Sequence, residues 1–216
     1  MVKKGRWLAW NAHDLGFALW LVIARKGKND MCRLAVFNSV SLDGHFVDGS
    51  GDMSWAHRNN DDEWNAFVAA NASGSGVLVF GRITYEMMAS YWPTPMALQT
   101  FPTVAKGMND MQKVVFSRTL EQVSWSNTKL VKGDLPSEIR KMKQEAEPDM
   151  VILGSGSIVS QLAQENLIDE YQIALCPIAL GKGRTLFEGV KRKLNLKLTK
   201  ARIFSNGSAF LCYEPE

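Results

Sequence analysis

Met150-Val-Ile-Leu153-Gly-Ser-Gly-Ser157 is the stretch on which the fold reading turns. Four apolar residues in a row are too few for a helix and read as a strand buried on both faces. The glycines and serines that follow break the run with a tight turn, and a helix resumes through about Glu165. Strand, glycine turn and helix in that order are the unit of a parallel sheet covered on both faces.

Working outward, the same unit recurs. Val77-Leu-Val-Phe80 is a second fully apolar strand, running into Gly81-Arg-Ile-Thr-Tyr-Glu86, which opens a helix. Lys113-Val-Val-Phe116 is a third strand, and Pro136 to Ala146 reads as a helix with proline in its first turn. Arg33 to Val40 forms a buried strand, followed by turn signals at Asp43-Gly44 and Asp48-Gly49. Asp61 to Ala72 has helical spacing, with Trp64, Phe67 and Val68 on one face and Asn59 or Asn60 offering an N-cap. The prolines at 93, 95 and 102 suggest a loop.

The C-terminal part differs. Tyr171 to Leu180, Leu194 to Phe204 and Ala209 to Tyr213 are strand-like, and Asn206-Gly207 is a hairpin turn signal. The expected sheet is therefore mixed, mostly parallel, with an antiparallel C-terminal edge.

The 216 residues suit one domain, and 46% hydrophobic with 22% charged residues is an ordinary globular balance that needs no metal or disulfide. A net charge of +3 with scattered Lys and Arg argues against a nucleic-acid partner but favours an anionic small molecule. Cys32, Cys176 and Cys212 stand far apart with no paired spacing and read as reduced packing residues of a cytoplasmic protein. Residues 1–30 stand apart from the rest: a basic start, an apolar run from Leu15 to Ala24 that is too short to span a bilayer, then a charged stretch. They read as a non-core extension, either a weak signal-like segment or the result of a start assigned upstream of Met31; the domain is 31–216.

The glycine and hydroxyl-rich turns at Gly81-Arg82-Ile-Thr84, Ser117-Arg118-Thr119 and Gly154-Ser155-Gly156-Ser157 all follow strands. In open α/β sheets ligands bind beyond the carboxyl ends of strands, where helix N-termini present amides to phosphate. Arginine forks add bidentate donors. Each turn alone is equally well a tight turn or a helix cap.

In order and spacing, Val79-Phe-Gly-Arg-Ile-Thr-Tyr-Glu86, Val115-Phe-Ser-Arg-Thr-Leu120 and Ile152-Leu-Gly-Ser-Gly-Ser157 resemble the cofactor turns of the dihydrofolate reductase superfamily. Asn38-Ser-Val-Ser-Leu-Asp-Gly44, Ile168-Asp-Glu-Tyr171 and Cys176-Pro-Ile-Ala-Leu-Gly-Lys-Gly183 are closer to its RibD C-terminal branch, from riboflavin biosynthesis. The resemblance implies a three-layer α/β/α dihydrofolate reductase-like fold and NADPH as hydride donor. It also implies a heteroaromatic substrate of the pterin or ribosylamino-pyrimidine kind, and pairing as a homodimer, for which the C-terminal apolar strands could supply the surface. Carried over by position, Gly81, Arg82, Thr84, Ser117, Arg118, Gly154, Ser155, Gly156, Ser157 and Ile158 would line the cofactor, with Ser117 and Arg118 favouring a 2′-phosphate.

The proton donor is less well marked. Asp62 or Glu63 follows Trp55 a few residues later than the resemblance expects, and acids there equally suit a helix dipole. Asp43 is a further candidate, and an Asx-turn explains it as well. Trp55 and Tyr85 either wall the substrate ring or belong to the core. The alternative function is a non-catalytic NADPH- or folate-binding module, which absence of a catalytic carboxylate would favour.

Overall fold

The computed structural model describes residues 32–57, 61–72, 75–145 and 148–216. The N-terminal extension and the Asn59 or Asn60 cap lie outside the described residues. Within them, Asp61 takes the capping role, its carboxylate accepting from Trp64 N at 2.8 Å.

The chain runs β1 (Leu34–Ser41), β2 (His45–Asp48), α1 (Asp62–Ala72), β3 (Val77–Gly81), α2 (Arg82–Tyr91), α3 (Pro95–Thr100), α4 (Pro102–Asp110) and β4 (Gln112–Phe116). It continues through β5 (Thr128–Val131), α5 (Leu135–Gln144), β6 (Met150–Leu153), α6 (Gly156–Gln164), β7 (Glu170–Cys176), β8 (Gly183–Thr185), β9 (Leu196–Ile203) and β10 (Ala209–Pro215). Eight strands form one sheet in the order β5-β4-β3-β6-β1-β7-β10-β9. From β5 to β7 every pairing is parallel, while β10 runs antiparallel to both β7 and β9. The mixed sheet with its antiparallel edge is the expected one, and every strand the apolar runs mark lies in it.

Alternation along the strands divides the core. Leu34, Val36 and Val40 of β1 face α5 and α6, packing with Ile139, Ile158, Val159 and Leu162. Ala35 turns to the other face, where Leu78, Phe80, Val115 and Val151 meet Tyr85 and Met108 from α2 and α4. Trp64 and Phe67 of α1 cover the antiparallel edge against Phe204, Phe210 and Cys212. Cys32, Cys176 and Cys212 are all buried and free; burial pushes their thiols up, to about 11 for Cys32 and about 12 for Cys212.

Three local readings are corrected. The proline-bearing segment is two short helices, because Pro95 and Pro102 sit in the first turns, where a missing N–H costs nothing, and Thr94 Oγ1 accepts from Ala97 N at 3.2 Å. Strand β7 stops at Cys176, since Pro177 cannot donate to a ladder and Ile178 N turns back to Cys176 O at 2.8 Å. Strand β5, half-exposed and at the sheet's edge, carries too few apolar residues to announce itself. The Asn206-Gly207 turn is a hairpin, closed by Phe204 N to Ser208 O at 2.9 Å.

A second, two-stranded ribbon pairs β2 with β8. Glycine is required at Gly183, where an added Cβ would stand 2.0 Å from Val47 O. The ribbon matters because its Phe46 and Val47 pack into the core that β1 shares with α6. Among the described residues no helix is long and apolar enough to cross a membrane.

Candidate cofactor and substrate site

Because β3, β4, β5 and β6 are parallel, their carboxyl ends share one edge of the sheet, and the turns that leave them are forced together. A cavity of about 580 Å³ opens there. Its lining includes Gly81, Arg82 and Thr84 after β3, Ser117 and Arg118 after β4, and Gly154, Ser155, Gly156, Ser157 and Ile158 after β6. Three separate segments named from sequence thus meet around one space. The β2–β8 ribbon supplies a further wall through Phe46, Val47 and Arg184, joined by Met53.

Ser155 holds the site's centre. It has left-handed backbone angles, φ 56° and ψ 64°, which cost a non-glycine residue about 1–2 kcal/mol. Its hydroxyl accepts from Gly81 N at 2.8 Å and donates to Thr84 Oγ1 at 2.9 Å. It therefore clamps the β3–α2 turn to the β6–α6 turn. Such strain persists only where the surroundings over-determine it, commonly at ligand sites. At Gly156 the Phe46 ring comes so close that an added Cβ would lie 2.9 Å from it.

The charged groups are arranged in two fashions. Arg82 pairs with Glu86 at 2.9 Å along α2 and remains half-exposed. Arg118 makes no ion pair among the described residues. Ser117 Oγ accepts from Leu120 N at 2.9 Å and Thr119 N at 3.2 Å, capping its own turn. Asp134, the acid among the lining residues, caps α5 by accepting from Ser137 N and Oγ at 3.2 and 2.7 Å. The Ser137 bonds, with the nearby Arg118 and Arg140 charges, hold its carboxyl below the usual range. Sequence reasoning missed Asp134 because the strand before it was not recognised; it missed Phe46 and Arg184 because nothing local shows that the ribbon folds over the cavity.

The expected proton donors are placed elsewhere. The Asp43 carboxylate accepts from Ser41 Oγ at 2.6 Å, Gly181 N at 2.7 Å and Leu180 N at 3.1 Å. The Ser41 hydroxyl first, then those amides, hold its carboxyl far below the usual range, so it is an ionised tie between the β1–β2 turn and the approach to β8. Glu63 is bound to Arg202 at 2.8 Å and to Ser205 N at 3.1 Å, which lowers its pKa in that order of cause. Asp62 begins the same helix, α1, beside the antiparallel edge. None of the three acids is among the cavity's lining residues.

The two aromatic candidates are core residues in this structure. Trp55 is buried with Ala56 and Cys176, its Nε1 donating to Asp52 O at 3.2 Å. Tyr85 is buried among α2, α4 and the sheet, its hydroxyl accepting from Ser124 N at 2.9 Å and Trp125 N at 3.1 Å. Neither lines the cavity.

The cavity's chemistry fits an anionic dinucleotide. Two helices of 10 and 9 residues, α2 and α6, begin at its wall, presenting the positive ends of their dipoles. Glycines at 81, 154 and 156 leave the backbone open to close approach, and three arginines, Arg82, Arg118 and Arg184, line the same cavity.

Comparison with known proteins agrees with this geometry. The model of the RibD C-terminal domain family matches residues 33–210. The Bacillus subtilis (strain 168) protein YyaP is 25% identical over 181 residues, covering 84% of this chain and 94% of its own. A Shewanella sp. PV-4 protein named for riboflavin biosynthesis superposes with a TM-score of 0.64 at 25% identity, over 85% of this chain and 99% of that one. Dihydrofolate reductase from Enterococcus faecalis, complexed with NADP(H), superposes at 0.52 with 14% identity, over 85% of this chain and 96% of that one, a likeness of fold.

Proposed function

Since the chain belongs to the RibD C-terminal domain family, we propose that it is an NADPH-dependent reductase acting on a heteroaromatic substrate of the pterin or ribosylamino-pyrimidine type. The observation that carries this reading is the meeting of the Gly81, Ser117 and Gly154 turns around one cavity walled by two helix N-termini and by Arg82 and Arg118.

Bound NADPH supplies the hydride; the chain's own contribution is orientation and exclusion of water. The α2 and α6 N-termini hold the pyrophosphate, with Gly154 and Gly156 allowing close approach and Ser157 adding a hydroxyl. Arg118 and Ser117 take the 2′-phosphate. Ser155 acts as a positioning residue, keeping the two turns at a fixed spacing. Phe46, Val47 and Met53 close the cavity with apolar surface. The protein works as a soluble cytoplasmic enzyme, its exposed antiparallel edge pairing two copies as a homodimer.

A second reading, binding without turnover, is favoured by one observation: Asp43 and Glu63 are ionised acceptors engaged in structural bonds. Loss of NADPH absorbance in the presence of dihydropterins and of ribosylamino-pyrimidines separates the two. Turnover of either class supports the reductase; tight NADPH binding with no oxidation by any of them supports the binding module.

A further inference from the structure

Asn38, in the centre of β1, is 2% exposed, and neither Nδ2 nor Oδ1 has a hydrogen-bond partner among the described residues. A primary amide buried with both ends unpaired is costly, and native proteins leave few such groups without a reason.

Its position suggests one. Asn38 shares its face of β1 with Val36 and Val40, in the layer where α6 packs. The β1–β6 register ends at the rung of Phe37 and Leu153, each followed directly by the residue in question: Asn38 on β1 and Gly154, of the cavity wall, after β6. Adjacent strands lie about 4.8 Å apart. Above this rung α6 starts at Gly156, and the Phe46 ring, part of the same core cluster as Val36 and Val40, is pressed against that glycine. Phe46 also lines the cavity. The unpaired amide thus lies on the strand face that packs into the core cluster to which Phe46, a cavity-lining ring, belongs.

We propose that Asn38 is a binding residue that reads an amide edge. Its Nδ2 donates to a ligand carbonyl and its Oδ1 accepts from the adjacent ligand N–H, once the ligand's ring displaces Phe46 from Gly156. A carboxamide or a lactam offers that pair of groups, so the source is either the nicotinamide or the substrate ring. This rests on the reductase reading above.

The test uses Asn38→Leu, close in shape, and Asn38→Val, matching its strand neighbours, should the first fail to fold. Three probes are titrated by calorimetry into wild type and variant: NADPH, adenosine 2′,5′-bisphosphate, which lacks the nicotinamide, and folate with NADP⁺ saturating. The expected result is a raised thermal midpoint together with binding weakened about tenfold for an amide-bearing probe and unchanged for the bisphosphate. Loss on NADPH assigns the amide to the nicotinamide; loss on folate alone assigns it to the substrate lactam. Unchanged affinity for both, or an equal loss on the bisphosphate, overturns the inference. Wild type binding neither NADPH nor the bisphosphate overturns the reductase reading instead, and the folate titration without NADP⁺ then tests Asn38 by itself.

Discussion

Replacing Ser155 by alanine removes the hydroxyl that accepts from Gly81 N at 2.8 Å and donates to Thr84 Oγ1 at 2.9 Å, while the left-handed φ of 56° remains. Leaving a buried donor without its acceptor costs about 1–3 kcal/mol. Replacing Ser155 by glycine removes the same bonds but relieves backbone strain of about 1–2 kcal/mol. Set against glycine's ordinary entropic cost of about 0.5–1 kcal/mol, this leaves the glycine variant the more stable of the two by about 1 kcal/mol. Urea unfolding measures the order, and calorimetric titration measures NADPH affinity, which falls about tenfold in both variants because the Gly81 turn loses its anchor. An alanine variant as stable as the glycine one would refute the strain argument. Undiminished NADPH binding in both variants would refute the positioning role.

Gly183→Ala drives a Cβ to 2.0 Å from Val47 O and should open the β2–β8 ribbon; proteolysis within residues 45–53 rises sharply while far-ultraviolet circular dichroism stays near wild type. Asp43→Asn weakens the carboxylate's grip on the Leu180 and Gly181 amides. Because Asp43 has a folded pKa below its ordinary value of 3.8, its contribution is present above that value and lost as pH falls below it. Wild type therefore loses stability in that acid window and Asp43→Asn loses less, as acid titration of the unfolding midpoint will show. Lys113 is fully buried, its ammonium held by Asn109 O and Met111 O, and burial lowers its pKa from 10.5 to about 8, partly offset by the nearby Asp110 charge. The folded state disfavours the charged form, so below about pH 8 the full penalty applies, and it is relieved as pH climbs from about 8 towards 10.5. The urea midpoint of wild type relative to Lys113→Met should rise over that window; a flat difference would contradict it.

Much of the sheet was legible because its strands are buried on both faces and spell themselves as apolar runs: Val77 to Phe80, Val114 to Phe116 and Met150 to Leu153 need no partner to be recognised. Edge strand β5 was not, since half-buried Thr128 and exposed Lys129 leave only two apolar residues in a row. Pro95 and Pro102 misled because proline breaks a helix interior but begins a helix well, and only the start of α3 and α4 decides which applies. The meeting of the Gly81, Ser117 and Gly154 turns was legible for the same reason as the strands they end: parallel pairing brings their carboxyl ends to one edge. The proton donor was not. Asp43 is engaged by Leu180, and Glu63 by Ser205 and Arg202, long-range neighbours that no local pattern reveals, and Asp62 shares the helix of Glu63 away from the cavity. The same holds for Phe46, Asp134 and Arg184, which reach the cavity through tertiary folding alone.

The proposed function requires the cavity beyond β3, β4 and β6 to hold NADPH by its phosphates. Calorimetric titration of the full chain with NADPH and NADH, repeated on Arg118→Ala, tests it most directly. NADPH should bind more tightly than NADH, and Arg118→Ala should lose about tenfold to a hundredfold for NADPH, the effect of a lost charge-assisted phosphate contact, with little change for NADH. Folded wild-type protein that binds neither nucleotide, or an Arg118→Ala variant that binds NADPH as wild type does, would contradict it.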